Sequence, residues 1–350
     1  MEKVKRVTVK DIAKELGISL STVNKALTGK NGISESRRFE IIDTANRLGY
    51  KVNKVAQSLA RNEMRIGIIM PNDWPQFYKF MEKGLNVELE RLADFNMKGI
   101  FKYFSHKQNL AESIQLSLSE LMQQNINAII LCPVYHNYEN ILKQIQEKNI
   151  PLVLLGSDIT AYGKRLTCVR VNAELSGKMA AEIIRLFLPS DKVAAMFIGN
   201  KDIEVHKEKV NGFFEEANNR TPITIAGVFE TQDDTELAYV LTKKLLLERQ
   251  DIGAIYVATG NSSAVCKCIE DNGLIGKVRV VATDIFKEQI EYMNKGIVVA
   301  TIHQNADLQG KLALRTLYSY LSEGTIPQEN TLVTPQIALR SNVEQVLQNL

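Results

Sequence analysis

The sequence predicts a small all-α head, a short segment of weak helical character and an α/β core of two doubly wound parallel-sheet lobes. Three observations predict it. Residues 8–27 place apolar side chains at helical spacing on either side of Gly17. From residue 65 short apolar runs alternate with longer amphipathic ones, the pattern of strand and crossover helix. With 350 residues, 45% apolar and 24% charged, the chain can bury more than one core.

In the head, Thr8 is placed to cap a helix with Asp11 three residues on, and Ile12, Ala13 and Leu16 form its apolar stripe. Gly17 supplies a sharp turn, Ile18 plugs it, and Ser19 caps a second helix that turns Val23, Ala26 and Leu27 inward. Leu20, Ser21, Thr22, Asn24 and Lys25 are left facing outward. Short, polar or cationic side chains on such a helix suit close approach to base edges and phosphates in a DNA major groove. Ser34 caps a third helix ending near Leu48, closed by Gly49-Tyr50, and a segment of weak helical character follows from Asn53 to Ala60.

This order of pieces resembles the head of the lactose/galactose repressor family. The matches are T-x-x-D-I-A at Thr8 to Ala13, G-I-S at Gly17 to Ser19, T-V at Thr22-Val23, L-G-Y at Leu48 to Tyr50, and N-x-x-A-x-S-L-A at Asn53 to Ala60. The resemblance implies a DNA-binding head over residues 1–50, a hinge over 51–63 and a two-lobed effector-binding and dimerisation domain over 64–350. It further implies that Ser34, Tyr50, Asn53, Ala56 and Leu59 join the outward residues of the second helix at the DNA, with Leu59 wedged between base steps. The chain departs from the family at Asn24-Lys25, where Ser-Arg is usual, at Thr28, where Asn is usual, and at Val52, where Pro is usual. Lysine cannot make the bidentate fork to guanine that arginine makes, so an altered operator is expected.

Charge agrees with this division. Residues 1–64 carry 13 Lys and Arg against 7 Asp and Glu, whereas the whole chain is only +3, so positive charge is concentrated in the head. The amino-terminal MEKVKRVTVKD lacks an apolar run and no segment reads as a membrane span, which points to the cytoplasm. The four cysteines and four histidines are scattered without ligand spacing, and no metal or other cofactor is implied.

In the core, strands are expected at Ile66 to Met70, Gly99 to Tyr103, Ala128 to Cys132, Leu152 to Leu155, Val193 to Ile198, Ile223 to Val228, Ala254 to Ala258 and Val278 to Thr283. Helices are expected over Phe80 to Leu92, Leu110 to Gln123, Glu174 to Leu188, Val205 to Ala217, Leu237 to Leu247 and Ser262 to Asp271. Open sheets bind ligands beyond the carboxyl ends of their strands, so two facing lobes would enclose one cleft. Strand ends offer Asn72, Trp74, Asp158, Thr259, Asp284 and Gln304 to it. Trp74 could stack on the apolar face of a sugar ring or plug the lobe surface. The family resemblance implies a periplasmic-binding-protein-like sugar sensor. Within it Asp284 matches the effector-binding acid and Gln304 a polar contact, and Lys209 stands where an effector-gripping Arg is usual. Gly156 stands where some members hold an acid, leaving Asp158 as substitute. An alternative for Asp284 is a helix cap for the segment from Ile285.

No G-x-G-x-x-G after a strand, no G-x-x-x-x-G-K-[ST] and no G-x-S-x-G is present, so an α/β enzyme is the weaker alternative. A transport-associated sugar-binding protein is the other, which the basic head disfavours. The expectation is a non-enzymatic transcription regulator, most simply a repressor. Its partners would be palindromic double-stranded operator DNA, a small carbohydrate-like effector and a second copy of itself. Val343, Val346, Leu347 and Leu350 span too few turns for a stable coiled coil, so a homodimer rather than a tetramer is expected.

Overall fold

The computed structural model describes residues 7–27, 32–50, 63–72, 75–105, 110–134, 138–159, 164–219 and 222–348. Thr28, Asn53, Ala56, Leu59 and Trp74 lie outside the described residues. The chain divides into two compact units, Met1–Asn62 and Glu63–Leu350.

Among its described residues the first unit holds three helices, α1 (Val9–Leu16), α2 (Leu20–Leu27) and α3 (Glu35–Arg47). Each start is satisfied locally. The Asp11 carboxylate accepts both the Thr8 N–H and the Thr8 hydroxyl at 2.7 Å. Ser19 Oγ accepts from the Thr22 N–H at 3.1 Å, and Ser34 Oγ from the Arg37 N–H at 3.4 Å. Helix starts leave N–H groups without carbonyl partners, which is why these side chains stand where they do. Gly17, at φ 63°, makes the left-handed turn that a side chain would strain. Ile12, Ala13, Val23, Ala26, Ile41 and Ala45 form the buried centre. Leu20, Ser21, Asn24 and Lys25 are exposed and Thr22 is half-buried, whereas Tyr50 packs half-buried against the centre.

The second unit contains two six-stranded sheets. The first lobe is built from β1 (Met64–Pro71), β2 (Met97–Phe104), β3 (Ala128–Leu131), β4 (Leu152–Leu155), β5 (Thr167–Val171) and β11 (Asn330–Val333), in the order β11-β5-β4-β3-β1-β2. The second lobe uses β6 (Val193–Ile198), β7 (Ile225–Glu230), β8 (Ile252–Val257), β9 (Arg279–Thr283), β10 (Val298–His303) and β12 (Gln336–Ala338), in the order β12-β10-β9-β8-β6-β7. Every pairing is parallel except β10 with β12. Parallel strands need helical crossovers on both faces, and the runs between strands supply them. In the first lobe these are α4 (Pro75–Leu92), α5 (Leu110–Met122) and α6 (Glu139–Glu147). In the second they are α7 (Ala173–Arg185), α8 (Glu204–Ala217), α9 (Thr235–Glu248), α10 (Ser262–Asp271) and α11 (Lys287–Asn294). Each sheet is therefore packed on both faces, with Ile66, Ile68 and Val153 on one side of the first and Ile129, Leu131 and Leu154 on the other.

The chain passes between lobes three times: after β5 into α7, after β10 into α12 (Ala306–Glu323), and between β11 and β12. A short α13 (Val343–Gln348) packs its Val343 on the second lobe. Helices α7 and α8 touch backbone to backbone. A Cβ on Gly177 would lie 2.1 Å from the Lys209 carbonyl oxygen, and one on Gly212 would lie 2.0 Å from that of Glu174. Only glycine permits this approach, and it fixes where α8 presents Lys209.

The strand-helix alternation holds, with local differences. β7 begins two residues after the expected Ile223, because Ile223 is buried ahead of the strand while the strand itself is a half-buried edge. β5, β11 and β12 were not expected as strands, and β10 was expected only through the strand end that offers Gln304. Helix α11 starts at Lys287 with Phe286 at its cap position, so Asp284 does not cap it. Among the described residues no helix is long and apolar enough to cross a membrane, and no group of three or more His, Cys, Asp and Glu could hold a metal ion.

Candidate ligand-binding site

The carboxyl ends of the second lobe's strands carry a concentration of backbone strain. Gln232 and Asp233 after β7, Asp284 after β9 and Asn305 after β10 all have φ between 52° and 60°. Non-glycine residues held there cost roughly 1–3 kcal/mol each and persist where surroundings over-determine them. At Asp284 those surroundings are visible. One carboxylate oxygen accepts the Gln304 N–H at 2.9 Å and the other the Gln304 Nε2–H at 2.6 Å. His303 Nδ1 lies 3.4 Å from the first oxygen. Thr301 Oγ1 donates to the Asp284 carbonyl oxygen. Burial alone would push the Asp284 carboxyl up, but His303 and the two Gln304 donors outweigh it and hold the group below the ordinary aspartate value.

Lys209 enters from α8 and is only 2% exposed. Its Nζ donates to the Ala258 carbonyl oxygen, at the end of β8, at 2.9 Å. Burial pulls its ammonium down to about 8, against the opposing pull of Asp284 and Asp233. His206, one turn earlier, is also buried, and the Asn200 N–H donates to its Nδ1 at 3.1 Å. Its pKa is lowered by burial and by Lys209, with Asp233 opposing. Thr259 is buried beside them, and its Oγ1 accepts from the Asn261 N–H at 3.2 Å.

The structure thus gathers Lys209 and Asp284 into one electrostatic cluster, joined directly by Gln304, with Thr259 following the Ala258 carbonyl that Lys209 holds. It treats the first-lobe candidates differently. Asn72 is exposed at the end of β1, its N–H bonded to the Phe104 carbonyl at 3.0 Å. Asp158 is buried, but its carboxylate is occupied by the Ile159 N–H at 2.8 Å and by a two-pronged pair with Arg165. Asp158 therefore fastens the first lobe's own β4–β5 connection, and Arg165 continues to Asn330 of β11 at 3.0 Å.

Sequence reasoning passed over His206, Asp233 and His303 here. His303 has both ring nitrogens buried without a hydrogen bond. A polar Thr-Gln-Asp-Asp run directly after an apolar strand was the available signal for Asp233. Also unanticipated is an ion pair between the lobes: Arg170 of β5 with Glu208 of α8, their side chains 10% and 25% exposed. Beside it a cavity of about 270 Å³ is lined by Arg170, Glu208 and Leu332 among others, and by none of the candidate ligand residues.

Comparison with known proteins places the chain. The family described as Periplasmic binding protein domain matches residues 66–325. Catabolite control protein A of Priestia megaterium is 22% identical over 345 residues, covering 97% of this chain and 99% of that protein. The HTH-type transcriptional repressor PurR of Histophilus somni is 23% identical over 356 residues, covering 96% and 99%. The crystal structure of GanP, a glucose-galactose binding protein from Geobacillus stearothermophilus, superposes with a TM-score of 0.71 at 18% identity, over 81% of this chain and 99% of that one. The chain belongs to the lactose/galactose repressor family, with a periplasmic binding protein domain as its core.

Proposed function

We propose that the protein is a non-enzymatic, ligand-responsive transcription regulator that binds a palindromic operator as a homodimer in the cytoplasm and changes operator affinity when a small carbohydrate binds between its lobes. One observation carries this reading. The glucose-galactose binding protein is matched over 99% of its own length by only 81% of this chain, whereas catabolite control protein A and the repressor PurR align with 97% and 96% of it. Because the matched binding-protein domain begins at residue 66, we read the surplus as the basic amino-terminal unit.

In this reading α2 lies in the major groove, with Ser19, Leu20, Ser21, Thr22, Asn24 and Lys25 toward the bases and phosphates and Thr8 and Ser34 at helix starts facing the backbone. Thr28, Asn53, Ala56 and Leu59 are the hinge-side contacts proposed from the sequence. Tyr50 supports the head from within rather than contacting bases. In the core, Asp284, Gln304, Lys209 and Thr259 meet the effector from the second lobe, with Asn72 and Trp74 proposed from the first. A ligand shifts the lobe equilibrium only to the extent that it binds one arrangement better, and that difference is what the DNA end reads.

Selection of random duplexes by the full-length protein tests this. The expected product is a pseudo-palindrome with half-sites about 10 bp apart. Lys25→Ala should relax the preference at one position per half-site and cost on the order of 1–3 kcal/mol at that position. Recovery of no preferred sequence, or an unchanged preference in Lys25→Ala together with unchanged affinity, would refute the reading.

A further inference from the structure

Where the chain first crosses between lobes, the cavity of about 270 Å³ beside the Arg170–Glu208 pair has walls from both of them. Arg170 of β5 and Leu332 of β11, partners in the strand pairing, form the first-lobe side. The start of α7, with Asn172 at its cap position and Leu175 and Lys178 beyond it, forms the other side together with Glu208 of α8. At this volume, just under the ~300–1,000 Å³ usual for drug-sized ligands, the space suits a small compound.

The charges around it define what kind. Arg170 is only 9% exposed, and its guanidinium has more donors than the protein engages: Nη1 pairs with Glu208, whereas the buried Nε has no hydrogen-bond partner. That planar fork matches a carboxylate, and a buried donor without an acceptor is a cost that a bound acceptor relieves. Acids nevertheless outnumber bases here. Lys178 Nζ is shared by Glu174 at 2.7 Å and by Glu215 of α8 at 2.9 Å, so with Glu208 three carboxylates stand against two cations. Asp158, a further acid that acts on Arg170, is held by Arg165. A lone anion would meet the surplus of carboxylates, and a lone cation would leave the Arg170 donors unmet. A compound carrying both charges satisfies both sides. Half-buried Leu175 and Leu332, 48% exposed at the rim, add an apolar flank.

We propose that this cavity binds a free α-amino acid with a short apolar side chain, its carboxylate on the Arg170 guanidinium, its ammonium on Glu208 and Glu174, and its side chain against Leu175 and Leu332. Because the walls belong to different lobes, an occupied site favours the lobe arrangement that holds them together. The site is separate from the strand-end cluster around Asp284, and the inference does not depend on what binds there.

The test is calorimetric titration of the full-length protein with L-alanine, L-valine and L-leucine, and with two blocked forms of each. The N-acetyl derivative removes the ammonium, and the amide removes the carboxylate. A free amino acid should bind with a Kd of ~1 mM or tighter, and each blocked form at least about tenfold more weakly, the effect of losing one hydrogen bond to a charged group. Leu332→Trp, which fills the cavity from its exposed rim, should abolish binding. Glu208→Gln, which keeps the shape and removes one carboxylate, should weaken it about tenfold and keeps the test available should Leu332→Trp not fold. Failure of all three free amino acids to bind overturns the proposal, as does a blocked form that binds as tightly as its parent. Binding that survives both substitutions unchanged also overturns it, because the ligand then sits elsewhere.

Discussion

Lys209→Met is the substitution whose consequences follow most directly from the structure. The side chain is 2% exposed, and burial lowers its pKa from 10.5 to about 8. The folded protein therefore releases this proton more readily than the unfolded chain does. Between about pH 8 and 10.5 the unfolded state carries more protons, so stability must rise with pH across that window. At 1.36 kcal/mol per unit, the buried charge costs about 3 kcal/mol below pH 8, a cost relieved as pH climbs to 10.5. Methionine has a similar reach and no charge. The variant should unfold in urea at a higher midpoint than wild type at pH 7, by a difference of about 2 kcal/mol once loss of the Ala258 hydrogen bond is subtracted. That difference should shrink and change sign at rising pH, reaching about 1 kcal/mol in favour of wild type near pH 10.5, while other lysines and tyrosines, common to both proteins, cancel. A difference that stays constant from pH 7 to 10.5 would refute the argument, because it would show that the amine titrates alike in both states. In the proposed function the variant also loses its response to effector, so it should be both more stable and deaf.

Two further outcomes are expected. Glu208→Gln removes the charge partner of Arg170 across the lobes, where both side chains are mostly buried, and should shift the effector Kd by about tenfold. The reversed pair Arg170→Glu with Glu208→Arg should restore much of it, and an unchanged Kd in the single variant would show that the pair does not bias the lobe arrangement. Gly177→Ala drives a methyl group against the Lys209 carbonyl oxygen, with 2.1 Å available, and should cost about 3 kcal/mol. In a thermal melt of a unit this large this is a fall of about 5 °C, and a variant that melts with wild type would show that α7 and α8 part more easily than their backbone contact implies.

The strands that could be read in advance are those made of four or more consecutive apolar residues, such as Leu152–Leu155 and Val193–Ile198, because burial on both faces leaves no alternation to obscure them. β5 escaped notice because Thr167–Val171 carries Arg170, whose charge is tolerated only through Glu208, 38 residues away in sequence. β11 and β12 are short, partly exposed strands that exist because the chain crosses back between lobes, a non-local cause that no window of sequence contains. The site divides in the same way. Asp284 and Gln304 could be named from strand ends, and Lys209 from its resemblance to a family position. Asp158 could be named too, but its bond to Arg165 depends on the fold of the loop between them. His206, in the first turn of α8, and Asp233, in the loop after β7, meet only because Gly199 leaves room between them, and neither segment announces the other.

Under the proposed function, the placement of Gln304 would let one lobe inform the other. Its backbone and side-chain N–H groups both serve the Asp284 carboxylate in the second lobe. Its carbonyl oxygen accepts from Gln309 Nε2 at 2.8 Å, and Gln309 lies on α12, whose Ala313, Leu314 and Leu317 pack into the first lobe. The next residue, Asn305, is strained at φ 52° and donates through Nδ2 to the Thr334 carbonyl oxygen, at 2.8 Å, in the third crossing. Any hydroxyl that competes with Gln304 for Asp284 must therefore disturb a residue that is itself a crossing between lobes. A carboxylate held by an ordinary surface side chain would let a ligand bind without mechanical consequence. Held by a crossing, it would, under the proposed function, make ligand binding and lobe arrangement one equilibrium, which is the condition under which an effector can have differential affinity for two states.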